Sequence, residues 1–580
     1  MGENSFPAIR DLAVIGDRRT CALVTNTGAI VWYCPGRFDY PSLLAALLDL
    51  DQGGDWVVQI PDATCSGRQY LEDSGVLETT LVTPAGELQI TDWMPMGEKV
   101  PHGICRQFSP APIDMTITLR PAPNYARRSP NLQPIEQGIQ IDQQYLYASH
   151  PLTIHNGQID CQIPKGETGW SLLADQPLSL PTESQLEQWL KETLQCWQSV
   201  TSHATYHGPY EREVAASIRA LRLLTFEENG GIVAAPTIGL PEVIGGKRNY
   251  DYRYVWLRDA GMIVSALTRA GSDGTEERRF LDFICGYDRD SDSQLLKPFS
   301  TLDGKTAPAQ ESLKLTGYRH STPVMIGNGA KDQLQLDGYG NVLLAAKLIY
   351  NRFDTREHWS LVAEIADFLT DHWHEPDYGI WEENQKEQYT ASKVIVACGL
   401  KFIADVAQDK AQADRWCAAE REIRQFVAQD CLTSDGAYAA LAGSEAVDVS
   451  AALFPVWAYT EPDTPEMLAT MSVLERDYAT GYLYRRHLQD FDSQKEGAFL
   501  AGTFWVAQYW IMRQELQRAQ AIIDAALEFA NDLGLFAEEA DPKTGEMLGN
   551  FPQTFVHASF IGTVIDLKTA LTQDQSGRKL

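Results

Sequence analysis

The chain has 580 residues, 44% of them hydrophobic and 22% charged, which is too long for one small core and too apolar for extended disorder. A formal net charge of −30 argues against a nucleic-acid partner, which needs a basic footprint, and favours an uncharged substrate over a phosphorylated one. The opening Met1-Gly2-Glu3-Asn4-Ser5-Phe6 carries no basic region before an apolar run, no window reaches the length of a membrane span, and the ten cysteines lack paired spacing, so the expectation is a cytoplasmic protein with reduced thiols and no membrane partner.

From about residue 10 to 180, short apolar runs alternate with turn residues. Ala22-Leu23-Val24-Thr25 and Ala29-Ile30-Val31-Trp32 flank Asn26-Thr27-Gly28 and predict a hairpin. A second hairpin is predicted where Val76 to Val82 and Glu87 to Ile90 flank Pro84-Ala85-Gly86, and Met115 to Leu119 reads as a further strand. Residues 1–182 are therefore expected to form an antiparallel β-sandwich, followed by a helical linker over 183–209.

Beyond the linker the pattern changes to a helical period. Val214, Ile218 and Leu221 recur on one helical face, and Trp359 to Leu369, Val394 to Val406 and Phe504 to Met512 repeat the habit. About twelve such helices between Tyr210 and Leu571 suggest paired concentric helices closing into a toroid over 210–580, with an open solenoid as the alternative. His372-Trp373-His374-Glu375 is the tightest potential metal group, but no partner cluster accompanies it and no metal or cofactor is expected.

Two acidic segments carry the clearest chemistry. Gly379-Ile380-Trp381-Glu382-Glu383 and Phe536-Ala537-Glu538-Glu539 each place a carboxylate beside apolar or aromatic residues in a loop between helices. One protonated and one ionised carboxyl is the pair that glycosidic hydrolysis requires, and an indole beside a carboxyl excludes water and raises its pKa. Asn249 to Asp259 adds the rings of Tyr252 and Trp256, suited to packing on pyranose faces, and an Arg258-Asp259 pair able to bind adjacent hydroxyls or to cap the following helix. In Gly327 to Asp337, Gln335 and Asp337 suit either hydroxyl contacts or capping.

Together these motifs resemble glycoside hydrolase family 15, the glucoamylase-like and trehalase-like inverting hydrolases. Further stretches similar to its bacterial and archaeal branch are Ile15-Gly16-Asp17, Arg37-Phe38-Asp39-Tyr40-Pro41, Ser392-Lys393-Val394, Glu496-Gly497-Ala498-Phe499 with Phe504-Trp505, and Gly549-Asn550-Phe551-Pro552-Gln553. The resemblance implies a β-sandwich followed by a toroid of six inner and six outer helices. It implies Glu382 as general acid and Glu538 as general base. Tyr252, Trp256, Arg258 and Asp259 would hold the terminal glucose, with Trp381 and Glu383 as further sugar contacts. An inverting pair would stand roughly 6.5–9.5 Å apart.

This sequence departs from the family pattern at His320, Thr322 and Met325, where glycine and arginines are usual, and at Ala391, where a histidine is common. With fewer polar anchors expected near the leaving group, the reading leans toward maltooligosaccharides or α-glucan as the neutral α-linked substrate. Trehalase is the enzymatic alternative and a non-catalytic carbohydrate-sensing scaffold a more distant one. Arg485 reads either as a charge for that subsite or as a surface arginine.

Overall fold

The computed structural model describes residues 5–287, 295–486, 488 and 496–577. Strand periodicity builds its first half. Leu77–Thr83 buries every second side chain, and it pairs antiparallel with Gly86–Trp93, as Cys21–Thr25 does with Ile30–Tyr33. Seven antiparallel strands form one sheet in the order Leu12–Gly16, Cys21–Thr25, Ile30–Tyr33, Asp55–Gln59, Met115–Arg120, Gln158–Ile163, Leu152–His155. Eight form the other, in the order Leu132–Ile135, Gly138–Ile141, Gln144–Ala148, Gly169–Ala174, Gly103–Phe108, Gly86–Trp93, Leu77–Thr83, Thr64–Tyr70.

The sheets share one apolar core that includes Val14, Leu23, Leu119, Leu81, Ile90 and Ile104. A polar pin crosses it. Arg106, on the eight-stranded sheet, pairs with Asp92 at 2.8 Å and donates to the Trp56 carbonyl of the facing sheet at 3.0 Å, all fully buried. A guanidinium held this way must keep both partners, because a lone buried charge is expensive.

The stretch expected as a linker is a packed element. Glu183–Ser202 begins with a capping box between Thr182 and Gln185, and Leu186, Trp189 and Leu190 cover Trp93 and Trp170 of the eight-stranded sheet and the neighbouring Val76. The two halves join directly as well: Trp32 donates to the Pro236 carbonyl at 2.9 Å and Asn531 to the Leu12 carbonyl at 2.7 Å.

The second half closes on itself. Helices Leu257–Arg269, Leu336–Phe353, Thr390–Ala404, Leu453–Val456, Leu500–Met512 and Thr554–Gly577 each contact the next, and the last returns to the first. That return contact rules out an open solenoid. Leu500–Met512 and Thr390–Ala404 are buried almost all round, as ring members must be, whereas the flanking helix Lys410–Asp430 buries only one stripe, including Trp416, Ile423 and Val427. None of the ten cysteines is bridged, and among the described residues no helix is long and apolar enough to cross a membrane.

Candidate active site

The ring delivers its loops to one end. Trp256, Arg258 and Asp259 stand at the start of Leu257–Arg269, and Asp337 at the start of Leu336–Phe353. Glu382 precedes Thr390–Ala404, and Glu496 precedes Leu500–Met512. Glu538 lies ahead of Glu539–Ala540, a short strand paired with both Ala498–Phe499 and Met547–Leu548. That small three-stranded sheet brings Glu496, Glu538 and Glu539 together, although they come from two separate loops.

Glu382 sits in a left-handed backbone conformation with φ +57°, uncommon for a residue with a side chain. Its carboxyl accepts a hydrogen bond from the Trp256 indole, and the Arg258 guanidinium stands 3.8 Å away. Burial raises its pKa, and Arg258 and the indole hydrogen bond oppose that rise. The backbone strain therefore aims a carboxyl at an indole and a guanidinium that both belong to another loop.

Glu538 is 3% exposed, and its Oε1 accepts a hydrogen bond from the Tyr252 hydroxyl at 2.8 Å. Its Oε2 is buried and has no hydrogen-bond partner among the described residues. Burial and then the nearby Glu242 push its pKa up to about 8, opposed by Arg486 and by the Tyr252 hydrogen bond. Gly549, at φ +76°, lies against this carboxyl: a Cβ there would come within 2.7 Å of Oε2. Behind it, the fully buried His557 accepts from the Phe536 amide at 3.3 Å and meets the Ser217 hydroxyl at 2.9 Å, so it steadies the run from Phe536 to Glu538. Burial holds this ring neutral, with its pKa lowered to about 3.

Tyr252 and Trp256 thus hold the two glutamates from one short segment, their rings 5.7 Å apart. The model for glycosyl hydrolases family 15 matches this chain over residues 208–521 and 511–564. The chain belongs to glycosyl hydrolase family 15. A second family model, trehalase-like N-terminal, matches residues 1–169. Relatives of this family 15 glycoside hydrolase include a trehalase of Thermoplasma volcanium, 31% identical over 98% of this chain and 95% of its own length. Trehalase 1 of Sulfolobus acidocaldarius is 30% identical, covering 97% and 99%, and a trehalase of Mycobacterium tuberculosis is 28% identical, covering 99% and 92%. In fold the chain matches a bacterial glucoamylase complexed with acarbose, with a TM-score of 0.73 at 14% identity over 99% of this chain and 97% of that one.

Within the family 15 site, the remaining expected residues fall out unevenly. Arg258 pairs with Asp259 at 2.8 Å and donates to the Ile380 carbonyl at 2.6 Å, so it ties the Glu382 loop to the ring. Asp259 does not cap its helix: the N-cap is Trp256, which has no side-chain cap bond. Gln335 occupies the N-cap position of the next helix without a side-chain cap bond, and Asp337 lies inside its first turn. Gln335 instead donates to the Gln333 side-chain carbonyl at 2.9 Å, and burial pushes Asp337 up to about 7, with Arg258 opposing.

The indole that meets Glu382 is that of Trp256, and not that of its neighbour Trp381. Trp381 donates to Asp448 and stacks on Trp505 at 5.8 Å, so it forms part of the wall. Adjacent residues diverge here because the positive φ of Glu382 turns the chain. The Glu383 pKa is raised by burial and by the Asp448 carboxylate. His320 lies edge-on to Phe6 with its side chain exposed, and Thr322 is exposed too. The Arg319 beside them pairs with Glu546 at 2.6 Å.

The feature that sequence reasoning missed is Arg486, next to the Arg485 it singled out. Just past the strand Leu483–Tyr484, Arg486 is buried and Arg485 half-buried. Arg486 lies among Glu242, Glu496 and Glu539, whose oxygens come within 4.8 Å of one another and would suit a metal ion by spacing alone. The guanidinium already supplies the positive charge there, 2.7 Å from Glu242 and 2.8 Å from Glu496. A separate cavity of about 520 Å³ opens at the opposite ends of the ring helices, beside Arg269, Gln508 and Asp566, and holds none of these glutamates.

Proposed function

We propose that this chain hydrolyses α,α-trehalose with inversion of configuration, using Glu382 as general acid and Glu538 as general base. The observation that carries the mechanism is the double clamp: Tyr252 donates to Glu538 and Trp256 to Glu382, so one short segment holds both carboxyls. Glu382 protonates the bridging oxygen. Glu538 takes a proton from a water on the opposite face, and that water attacks the anomeric carbon. The products are one β-glucose and one α-glucose. The reaction needs two carboxyls and a water, with no cofactor or metal.

The role assignment draws on the family motif order. Burial raises both pKa values, and a resting base at about 8 depends on the cations around it to ionise. Arg258 and Asp259 would bind hydroxyls of the terminal glucose, Tyr252 and Trp256 would pack on its faces, and Trp381 and Glu383 would extend the wall toward the second sugar.

The choice of trehalose reverses the lean toward maltooligosaccharides. That lean rested on a loop where His320 faces Phe6 and Thr322 faces solvent. The relatives matched over nearly the whole chain are named trehalases, and the N-terminal match is trehalase-like. We also read the helices as six inner and six outer, with residues 1–182, 183–209 and 210–580 as sandwich, connecting helix and toroid. The deciding assay incubates the enzyme with trehalose, maltose, isomaltose and soluble starch side by side and follows products by proton NMR. We expect the highest kcat/KM on trehalose with equal initial β- and α-glucose; faster cleavage of maltooligosaccharides would overturn the substrate, and two α-glucose products would overturn inversion.

A further inference from the structure

Behind the proposed base lies a buried charge cluster that holds more carboxylates than cations. Arg486, its side chain 6% exposed, reaches Glu242 at 2.7 Å, Glu496 at 2.8 Å and Glu539 at 3.5 Å, and its other terminal nitrogen stands 4.0 Å from Glu538. Arg248 adds a second cation, 3.0 Å from Glu242 and 2.8 Å from Glu496, but reaches the cluster from a more exposed position. Trp381 and Phe499 lie over the Arg486 guanidinium at 5.7 and 5.2 Å and keep water from it. Glu383 and Asp448 adjoin the cluster from the Glu382 side, and Tyr252 donates to Oε1 of Glu538, the oxygen that Arg486 approaches.

In so dry a setting, four carboxylates cannot all ionise against two guanidiniums. Glu539 is fully buried, and neither of its carboxyl oxygens has a hydrogen-bond partner among the described residues, so its nearest source of positive charge is Arg486. Whatever Arg486 gives to Glu242, Glu496 and Glu539 is withheld from Glu538.

We propose that Arg486 is a positioning residue for Glu538, and that Glu242, Glu496 and Glu539 set the strength of its effect by competing for the same guanidinium. The proposal rests on reading Glu538 as the base. The cluster then ties the ionised, water-activating form of Glu538 to charges that never touch the sugar.

The test is the pH profile of kcat/KM on trehalose, whose acid limb reports ionisation of the base and whose alkaline limb reports loss of the acid's proton. Glu242→Gln removes a competitor and should move the acid limb down by about one pH unit, roughly a tenfold gain on that limb. Arg486→Gln should move it up by at least as much, and Arg486→Lys, which keeps the charge without the fork, should fall between. The alkaline limb should stay in place. If Glu242→Gln does not fold, Glu539→Gln reads the same competition.

An unmoved acid limb in a variant with wild-type circular dichroism and Tm, or both limbs moving together, overturns the positioning role. Glu538→Gln separates the two levels. If that variant keeps wild-type kcat, the base assignment fails and takes this proposal with it; if it is inactive while the limb stays put, only the positioning role falls.

Discussion

The Tyr252 hydroxyl donates to Glu538 at 2.8 Å from a position four residues before the indole that donates to Glu382. One rigid stretch therefore sets both carboxyls, and its own geometry is locked: Trp256 packs on Phe299 with ring centroids 4.4 Å apart. A displacement of this segment would move acid and base together, which preserves their separation. A crystal structure with the glutamate carboxyls outside roughly 6.5–9.5 Å of each other would contradict the inverting assignment.

Replacing the two glutamates should have unlike consequences. Glu382→Gln cannot protonate a leaving group, so trehalose turnover should fall by roughly 10²–10⁴, while an activated donor such as glucosyl fluoride, which leaves without protonation, should recover much of its rate. Glu538→Gln should be slow on both. Rescue of Glu538→Gln in place of Glu382→Gln in steady-state assays would mean that the roles are exchanged, and equal rescue of both would mean that acid and base are misassigned.

Tyr252→Phe removes one hydrogen bond from Glu538 and little else. The phenol opposes the rise in the Glu538 pKa, so its loss should push the carboxyl higher and shift the acid limb of kcat/KM to higher pH. We expect kcat near neutrality to drop by about tenfold, in line with a lost hydrogen bond to a charged group of roughly 1.5 kcal/mol. A profile unchanged in position would show that Tyr252 only packs against the sugar.

Gly549→Ala tests how tightly Glu538 is placed. The added Cβ would meet Oε2 at 2.7 Å on a backbone with φ +76°, a conformation costly for alanine. Either the carboxyl or the loop must shift, and misplacement by an ångström costs about 10²-fold in rate. The expected signature is a large fall in kcat with a smaller change in KM; wild-type kcat would mean that this loop yields freely.

Asp337 predicts a stability effect distinct from catalysis. Burial raises its folded pKa to about 7, so the folded state keeps a proton that the unfolded chain releases at lower pH. Its stabilising contribution is present below the ordinary carboxylate pKa and is lost as pH rises through about 7. Asp337→Asn abolishes that dependence. Its Tm relative to wild type should therefore increase by a few degrees between pH 4.5 and 8, the linkage amounting to at most about 4 kcal/mol. A constant Tm difference across that range would show that Asp337 ionises freely.

Much of this protein is written in local pattern. The alternation in Leu77–Thr83, the turn at Gly28 and the helical spacing of Val214, Ile218 and Leu221 specify their elements because strand and helix periods are properties of neighbouring residues. The glutamate loops were legible for the same reason, as carboxylates beside aromatic residues in breaks of the helical pattern. Proximity across the ring is another matter. That Trp256 rather than Trp381 meets Glu382, and that Arg486 rather than Arg485 lies among Glu242, Glu496 and Glu539, depends on a backbone turn at one residue and on which of two adjacent arginines is the buried one. Spacing along the chain carries no record of such contacts, since Trp256 and Glu382 stand 126 residues apart and Glu242 and Arg486 stand 244 apart. Only closure of the toroid, by the return of Thr554–Gly577 onto Leu257–Arg269, brings those loops to one mouth and shuts the cluster away from water.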